Sequence, residues 1–159
     1  MDLIALVDKN WALGYKGEQI IYIPDDLKHF KLLTKNKTVV LGRKTLYTFP
    51  NKKPLKERRN LILSKDENLK IEGAEVFYNI DELLKKAPDD AFVIGGESVY
   101  KELFKYCERA YITMVDHSFE ADKFLPDISR DEKWKLSQKS EDFYYEGLKY
   151  NFLIYKRKV

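Results

Sequence analysis

The sequence predicts an α/β fold: a mainly parallel sheet with helices on both faces and a C-terminal antiparallel hairpin. Three observations carry this. Thr38-Val39-Val40-Leu41, Asn60-Leu61-Ile62-Leu63 and Ala91-Phe92-Val93-Ile94 are short apolar runs of the kind buried on both faces of a parallel sheet. The first and third break at glycine and pass at once into helix, and the second ends at the polar pair Ser64-Lys65. Lys133 to Ser140 and Lys149 to Lys156 instead alternate, with Gly147 near their turn, as antiparallel strands do.

Taken in order, residues 2 to 8 form an apolar run that ends at an acid, which fits a short buried strand. Lys9 to Ile23 has no clean period and is punctuated by Gly14 and Gly17; a loop of that length suggests function. Pro24 opens a helix over 24–34, since proline at the first helical position gives up an N–H that is not needed there. Strand 38–41 feeds a short helix at 43–49, stopped near Pro50. Strands follow at 60–63 and 74–78, then a helix at 81–86 closed before Pro88. Strand 91–94 leads into helix through about Tyr106, and Arg109 to Val115 is a strand. The segment 117–131, with Pro126 and several acids, is expected to be loop. There is no repeat, low-complexity segment or linker, so one domain over 1–159 is expected.

Composition narrows the function classes. The chain has 159 residues, enough for one domain with a sizeable core, and 44% are hydrophobic, so it is globular. Twenty-nine basic against 26 acidic residues leave a net charge of only +3, with the signs interspersed. The basic run Lys52-Lys53-Pro54-Leu55-Lys56-Glu57-Arg58-Arg59 lacks interleaved aromatics, which argues against nucleic acid and for a loop that handles a small anion. Cys107 is the only cysteine, so no internal disulfide and no zinc-type spacing exists; no metal is expected. Leu3-Ile4-Ala5-Leu6-Val7 is too short for a signal peptide and nothing approaches a membrane span, so a cytoplasmic protein is expected.

In the helix at 24–34, Asp26, Phe30 and Leu33 fall at i, i+4 and i+7. Asp26 is therefore a carboxylate on an otherwise apolar face. Asp25 lies about a hundred degrees round the helix, beside Lys28 and His29, where solvent is expected. Two acids in a first turn also offset the helix dipole by a few tenths of a kcal/mol each. That reading suffices for Asp25 and leaves Asp26 open.

Three strand-to-turn junctions fall on one edge of such a sheet: Leu41-Gly42-Arg43, Leu63-Ser64-Lys65 and Ile94-Gly95-Gly96. Ligands of open α/β sheets bind beyond the carboxyl ends of the strands. Gly95-Gly96 ahead of Glu97-Ser98-Val99-Tyr100 could cradle a phosphate, with Arg43, Lys44 and Lys65 adding charge; a simple tight turn explains two glycines equally well. No Ser–His–Asp or Cys–His arrangement suggests itself, and His29 and His117 read as surface residues. An enzyme built this way would rely on a cofactor.

In this order and spacing the sequence resembles dihydrofolate reductases along nearly its whole length. The resemblance is carried by the strand ending at Asp8, Leu13-Gly14, Pro24-Asp25-Asp26-Leu27-Lys28-His29-Phe30-Lys31 and Val40-Leu41-Gly42-Arg43-Lys44-Thr45. Pro54-Leu55 with Arg58 and Asn60, Val93-Ile94-Gly95-Gly96-Glu97-Ser98-Val99-Tyr100, Tyr111-Ile112-Thr113, and Ala121-Asp122 ahead of Pro126-Asp127 complete it. The family reduces 7,8-dihydrofolate with NADPH on an eight-stranded, mainly parallel sheet. By that resemblance Asp26 binds the pterin N3 and 2-amino group, supported by Thr113, and aids N5 protonation. Leu6 lies at the pocket floor, while Leu27, Phe30, Phe49 and Leu55 wall the pterin and benzoyl groups. Arg58 pairs with the glutamate α-carboxylate. Gly95, Gly96, Lys44 and Thr45 hold the cofactor pyrophosphate, and Gly42, Glu97, Ser98 and Val99 also belong to the cofactor site. Arg43, Ser64 and Lys65 surround the 2′-phosphate, and Leu13, Ile94 and Tyr100 border the nicotinamide. The same resemblance implies a monomer that binds dihydrofolate and antifolate-type inhibitors.

The sequence departs from the family pattern in places. A family Trp before the helix is replaced by Ile21, within Gln19-Ile20-Ile21-Tyr22-Ile23-Pro24. Leu6 stands where a small alanine is usual, and Ala121 where glycine is frequent. Glu97 and Ser98 replace a more basic pattern, which shifts charge recognition of the cofactor onto Arg43 and Lys65. Two other readings stay open at this point: a riboflavin-pathway type reductase of the same fold, and a cofactor-binding module without turnover.

Overall fold

In the computed structural model, which describes residues 1–159, strand β1 (Asp2–Asp8) is buried at every position after Asp2. It is followed by β2 (Ala12–Tyr15), β3 (Glu18–Gln19), α1 (Pro24–Thr34), β4 (Thr38–Gly42), α2 (Arg43–Leu46), β5 (Arg59–Leu63) and β6 (Glu75–Phe77). Then come α3 (Ile80–Lys86), β7 (Phe92–Gly95), α4 (Glu97–Leu103), β8 (Arg109–Val115), β9 (Lys123–Phe124), β10 (Trp134–Lys139), β11 (Phe143–Tyr145) and β12 (Leu148–Arg157).

The main sheet runs in the order β10-β12-β8-β1-β7-β4-β5-β6, with β11 also paired to β12. From β8 to β6 every pairing is parallel, while β12 is antiparallel to β8, β10 and β11. The burial of β1 follows from its central place, because its alternate residues serve two cores. Leu3, Ala5 and Val7 join Val40, Leu61 and Val93 under Leu83 of α3 and Val99 and Leu103 of α4. Leu6 turns to the other face, with Ile23, Val115 and Tyr150. That face also carries a third cluster, in which Leu46 of α2 packs on Val39, Leu41 and Ile62.

The segment expected to be bare loop at 9–23 contains β2 and β3, which form a small second sheet with β9 from the 117–131 segment. Strands of two to four residues are too short to leave an alternating pattern, which is why the sequence hides them. Their anchor is the fully buried Asp8, whose carboxylate accepts from the N–H groups of Asn10, Ala12 and Phe119. Trp11, in the same segment, is buried in the main core with positive φ. The C-terminal hairpin turns at Glu146 and Gly147, both with positive φ, but joins β11 to β12; β10 pairs further along β12. The helix expected at 43–49 ends at Leu46.

Candidate active site

The carboxyl ends of β4, β5 and β7 open into one cleft of about 1440 Å³, walled on the opposite side by α1 and by the segment around β2 and β3. Pockets for a single drug-sized ligand measure roughly 300–1,000 Å³, so this cleft has room for more than one such ligand.

At one end stands Asp26, the only buried carboxylate among the acidic residues that line the cleft. The helix phase turns it inward, while Asp25 next to it is exposed and 3.9 Å from Lys28 Nζ. Thr113, buried on β8, donates its hydroxyl to Asp26 Oδ1 at 2.5 Å. Burial pushes the Asp26 carboxyl above the ordinary carboxylate range, and the Thr113 hydroxyl pulls in the other direction. The same face of the sheet supplies Leu6, which pairs in register with Thr113, and Thr113 in turn pairs with Phe152. His29 is half-buried and stacks on Phe152 with ring centroids 4.0 Å apart, so it is a packing residue rather than the surface residue its type suggested.

Leu27, Phe30, Phe49 and Leu55 line the cleft beside Asp26, and Arg58 closes that side. The Arg58 guanidinium is 5.9 Å from the Phe30 ring. Its Nε donates to Thr34 Oγ1 at 3.0 Å and Nη1 to the Lys56 carbonyl at 2.9 Å. These bonds use two of its five N–H donors and leave three, one on Nη1 and both on Nη2, free to meet a carboxylate.

At the other end, Gly42, Thr45, Gly95 and Gly96 bring backbone and side chain close together. Gly95 has φ +131°, and a Cβ there would lie 3.4 Å from Thr45 Oγ1; a Cβ on Gly96 would lie 3.2 Å from the same atom. The Gly95-Gly96 peptide is cis. Only glycine gives this backbone its shape and its open approach. Arg43, Lys44, Ser64 and Lys65 line this end, as do Ser98 and Val99. Glu97 also lines it, but its carboxylate accepts from the Phe124 N–H at 2.7 Å and lies 3.6 Å from Lys101 Nζ, directed at β9. Between the two ends lie Leu13, Ile94 and Tyr100, whose hydroxyl donates to the Ile4 carbonyl at 2.6 Å.

The cleft thus brings together every candidate residue named from the sequence except Thr113, which sits behind Asp26 rather than on the wall. Ile21, singled out for replacing an aromatic residue, is not among the lining residues; it packs with Ile20 on the cluster of Leu6, Ile23, Val115 and Tyr150. Tyr22 lines the cleft instead, its hydroxyl 3.1 Å from Glu18 Oε2. Sequence reasoning also missed Ile4 and Ala5 on the floor, and Tyr78, Asn79 and Ile80 beyond Ser64. The last three follow the carboxyl end of β6, a fourth parallel strand on the edge already singled out.

Comparison with known proteins agrees with this geometry. The family model described as dihydrofolate reductase matches residues 1–157. Dihydrofolate reductase of Bacillus subtilis (strain 168) is 30% identical over 165 residues, covering 99% of this chain and 95% of its own length. That of Buchnera aphidicola subsp. Acyrthosiphon pisum is 35% identical over 137 residues, covering 85% of this chain and 84% of its own. Among solved structures, dihydrofolate reductase from Enterococcus faecalis complexed with NADP(H) and RAB-propyl superposes with a TM-score of 0.86. It is 30% identical and covers 99% of this chain and 96% of that one. With the family model spanning all but the last two residues, the chain belongs to the dihydrofolate reductase family.

Proposed function

We propose that the cleft is the active site of an NADPH-dependent reductase that converts 7,8-dihydrofolate to tetrahydrofolate, with Asp26 and Thr113 at the pterin and the Gly95-Gly96 turn at the cofactor phosphates. The observation that carries this is the continuity of the two ends: one buried carboxylate with its hydroxyl partner opens into the same cavity as the glycine turn and its basic neighbours. NADPH bound between these residues would provide the hydride for C6 of the pterin.

The chain's own residues bind, orient and protonate. Asp26 accepts from the pterin N3 and 2-amino groups, and its charge offsets the positive charge that develops as N5 is protonated. In the free protein that charge is disfavoured by burial, so the substrate's cation stabilises what the empty site does not. Leu6, Leu27, Phe30, Phe49 and Leu55 exclude water from the rings, and Arg58 takes the glutamate α-carboxylate through its two free Nη edges. Leu13, Ile94 and Tyr100 would hold the nicotinamide, and orienting donor and acceptor in this way would supply most of the acceleration. Gly42, Lys44, Thr45, Gly95 and Gly96, flanked by Glu97, Ser98 and Val99, hold the pyrophosphate. Arg43, Ser64 and Lys65 take the 2′-phosphate. The protein works as one folded unit over 1–159, as a monomer in the cytoplasm, and antifolate-type inhibitors compete at the Asp26 end; no helix is long and apolar enough to cross a membrane.

Following NADPH absorbance with dihydrofolate tests the reading. Oxidation that depends on dihydrofolate is expected. Oxidation only with a pyrimidine substrate of the riboflavin pathway would make it the related reductase, and tight NADPH binding without turnover would make it a binding module.

A further inference from the structure

Arg58 stands on the turn between a short 3-10 helix (Pro50–Lys52) and β5, a turn with no regular backbone pairing of its own from Lys53 to Arg58. Its shape is held by Asn60, the second residue of β5, which is 2% exposed and fixed in the parallel ladder opposite Val39. The Asn60 side chain accepts from the Leu55 N–H at 3.0 Å through Oδ1, and donates through Nδ2 to the Leu55 carbonyl at 2.9 Å and the Arg58 carbonyl at 3.0 Å. One buried amide thus spends both donors and an acceptor on the two residues of this turn that line the cleft. A second buried group works from the other side. Thr34, fully buried at the end of α1, donates to the Phe30 carbonyl at 2.8 Å and accepts from Arg58 Nε. Backbone and guanidinium of Arg58 are therefore fixed separately, the first by Asn60 and the second by Thr34 together with the Lys56 carbonyl.

We infer that Asn60 and Thr34 are positioning residues that aim Arg58 and so set the preference for a substrate whose tail ends in a carboxylate, beyond shaping the pocket for its rings. This rests on the reading of Arg58 as the carboxylate's partner. Asn60→Asp keeps the size and the acceptor but cannot donate to the two carbonyls, so the turn loosens at Leu55 and at Arg58. Thr34→Val keeps shape and removes the bond to Nε.

The experiment compares dihydrofolate with a truncated dihydropterin substrate that keeps the ring and aryl group and lacks the amino-acid carboxylates. For Asn60→Asp and for Thr34→Val, KM for dihydrofolate should rise about tenfold, the effect of misaiming a charge-assisted hydrogen bond. Turnover should stay as in the unaltered protein in both variants; KM for the truncated substrate should stay so in Thr34→Val and should rise less than KM for dihydrofolate in Asn60→Asp, which also frees the Leu55 carbonyl beside the rings, and Thr34→Ser should restore the dihydrofolate KM. NADPH binding in each variant reports that it has folded, and Thr34→Val carries the test by itself if Asn60→Asp does not fold. Equal increases in KM for both substrates, or none for either, would overturn the inference. Arg58→Leu serves as the reference: it should abolish the preference for dihydrofolate. A preference that survives Arg58→Leu would remove the reading of Arg58 and the inference with it, whereas one lost in Arg58→Leu but kept in Thr34→Val would sink the positioning role alone.

Discussion

At one end of the cleft Asp26 is the only buried carboxylate, and its side chain has Thr113 as its one hydrogen-bond partner. At the other end Gly42, Gly95, Gly96 and Thr45 are packed backbone against side chain, while Lys44 and Lys65 reach into solvent. The first arrangement concentrates chemistry in a single ionisable group taken out of water. The second spreads recognition over backbone and several screened charges, each worth little by itself. Substitutions should therefore act very unequally at the two ends, and turnover and cofactor affinity should separate.

The largest effect belongs to Asp26→Asn. The amide keeps the size but cannot balance a protonated pterin, so turnover near neutral pH should fall by roughly 10²–10⁴, the range for a proton-transfer group. NADPH affinity, measured by fluorescence titration, should barely move. The same substitution should raise the thermal stability of the ligand-free protein. The Asp26 pKa is raised on folding, so the native state binds more protons than the unfolded chain between the two pKa values. Stability falls as pH rises through that window, and above it the penalty is fully present in the unaltered protein and absent from Asp26→Asn.

Thr113→Val comes next. It removes the one hydrogen bond that opposes the burial effect, so the pH at which Asp26 ionises should move further up and the pH–rate profile should move with it. A pH–rate profile displaced to higher pH checks this; displacement to lower pH would contradict it.

At the opposite end, Arg43→Ala should weaken NADPH binding by roughly three- to tenfold, less than a fully buried ion pair would give, and leave NADH binding nearly unchanged. Equal losses for both cofactors would remove Arg43 from the 2′-phosphate. The smallest effect is expected for Asp25→Asn. This exposed neighbour has only the loose Lys28 pair, and turnover should change by less than about twofold.

The two ends were also unequally legible in the sequence. The order of buried strands was readable because parallel strands buried on both faces are apolar without a break, as at Val39-Val40-Leu41. Helix phase placed Asp26 inward and Asp25 outward, since side-chain direction on a helix is a matter of counting. The two-glycine turn was ambiguous by itself and became a cradle only through Thr45, which packs against it from another strand end. Asp8 shows what no local pattern reveals: its acid reads as the end of a strand, yet its carboxylate joins β1 to Ala12 of the small sheet and to Phe119, ahead of β9 and more than a hundred residues away. The lining by Tyr22 rather than Ile21 was hidden for a related reason, because β2 and β3 fix how the chain enters α1 and are too short to show a period.

If Asp26 alone supplies the balancing charge at the reacting ring, its loss shows in the pH dependence of turnover in Asp26→Asn. With the carboxylate gone, protonated dihydrofolate must come from solution, so activity should climb continuously as pH falls from 8 to 5 and approach that of the unaltered protein at the acid end. A profile that stays flat over this range, or that keeps the shape seen with Asp26 in place, would contradict it.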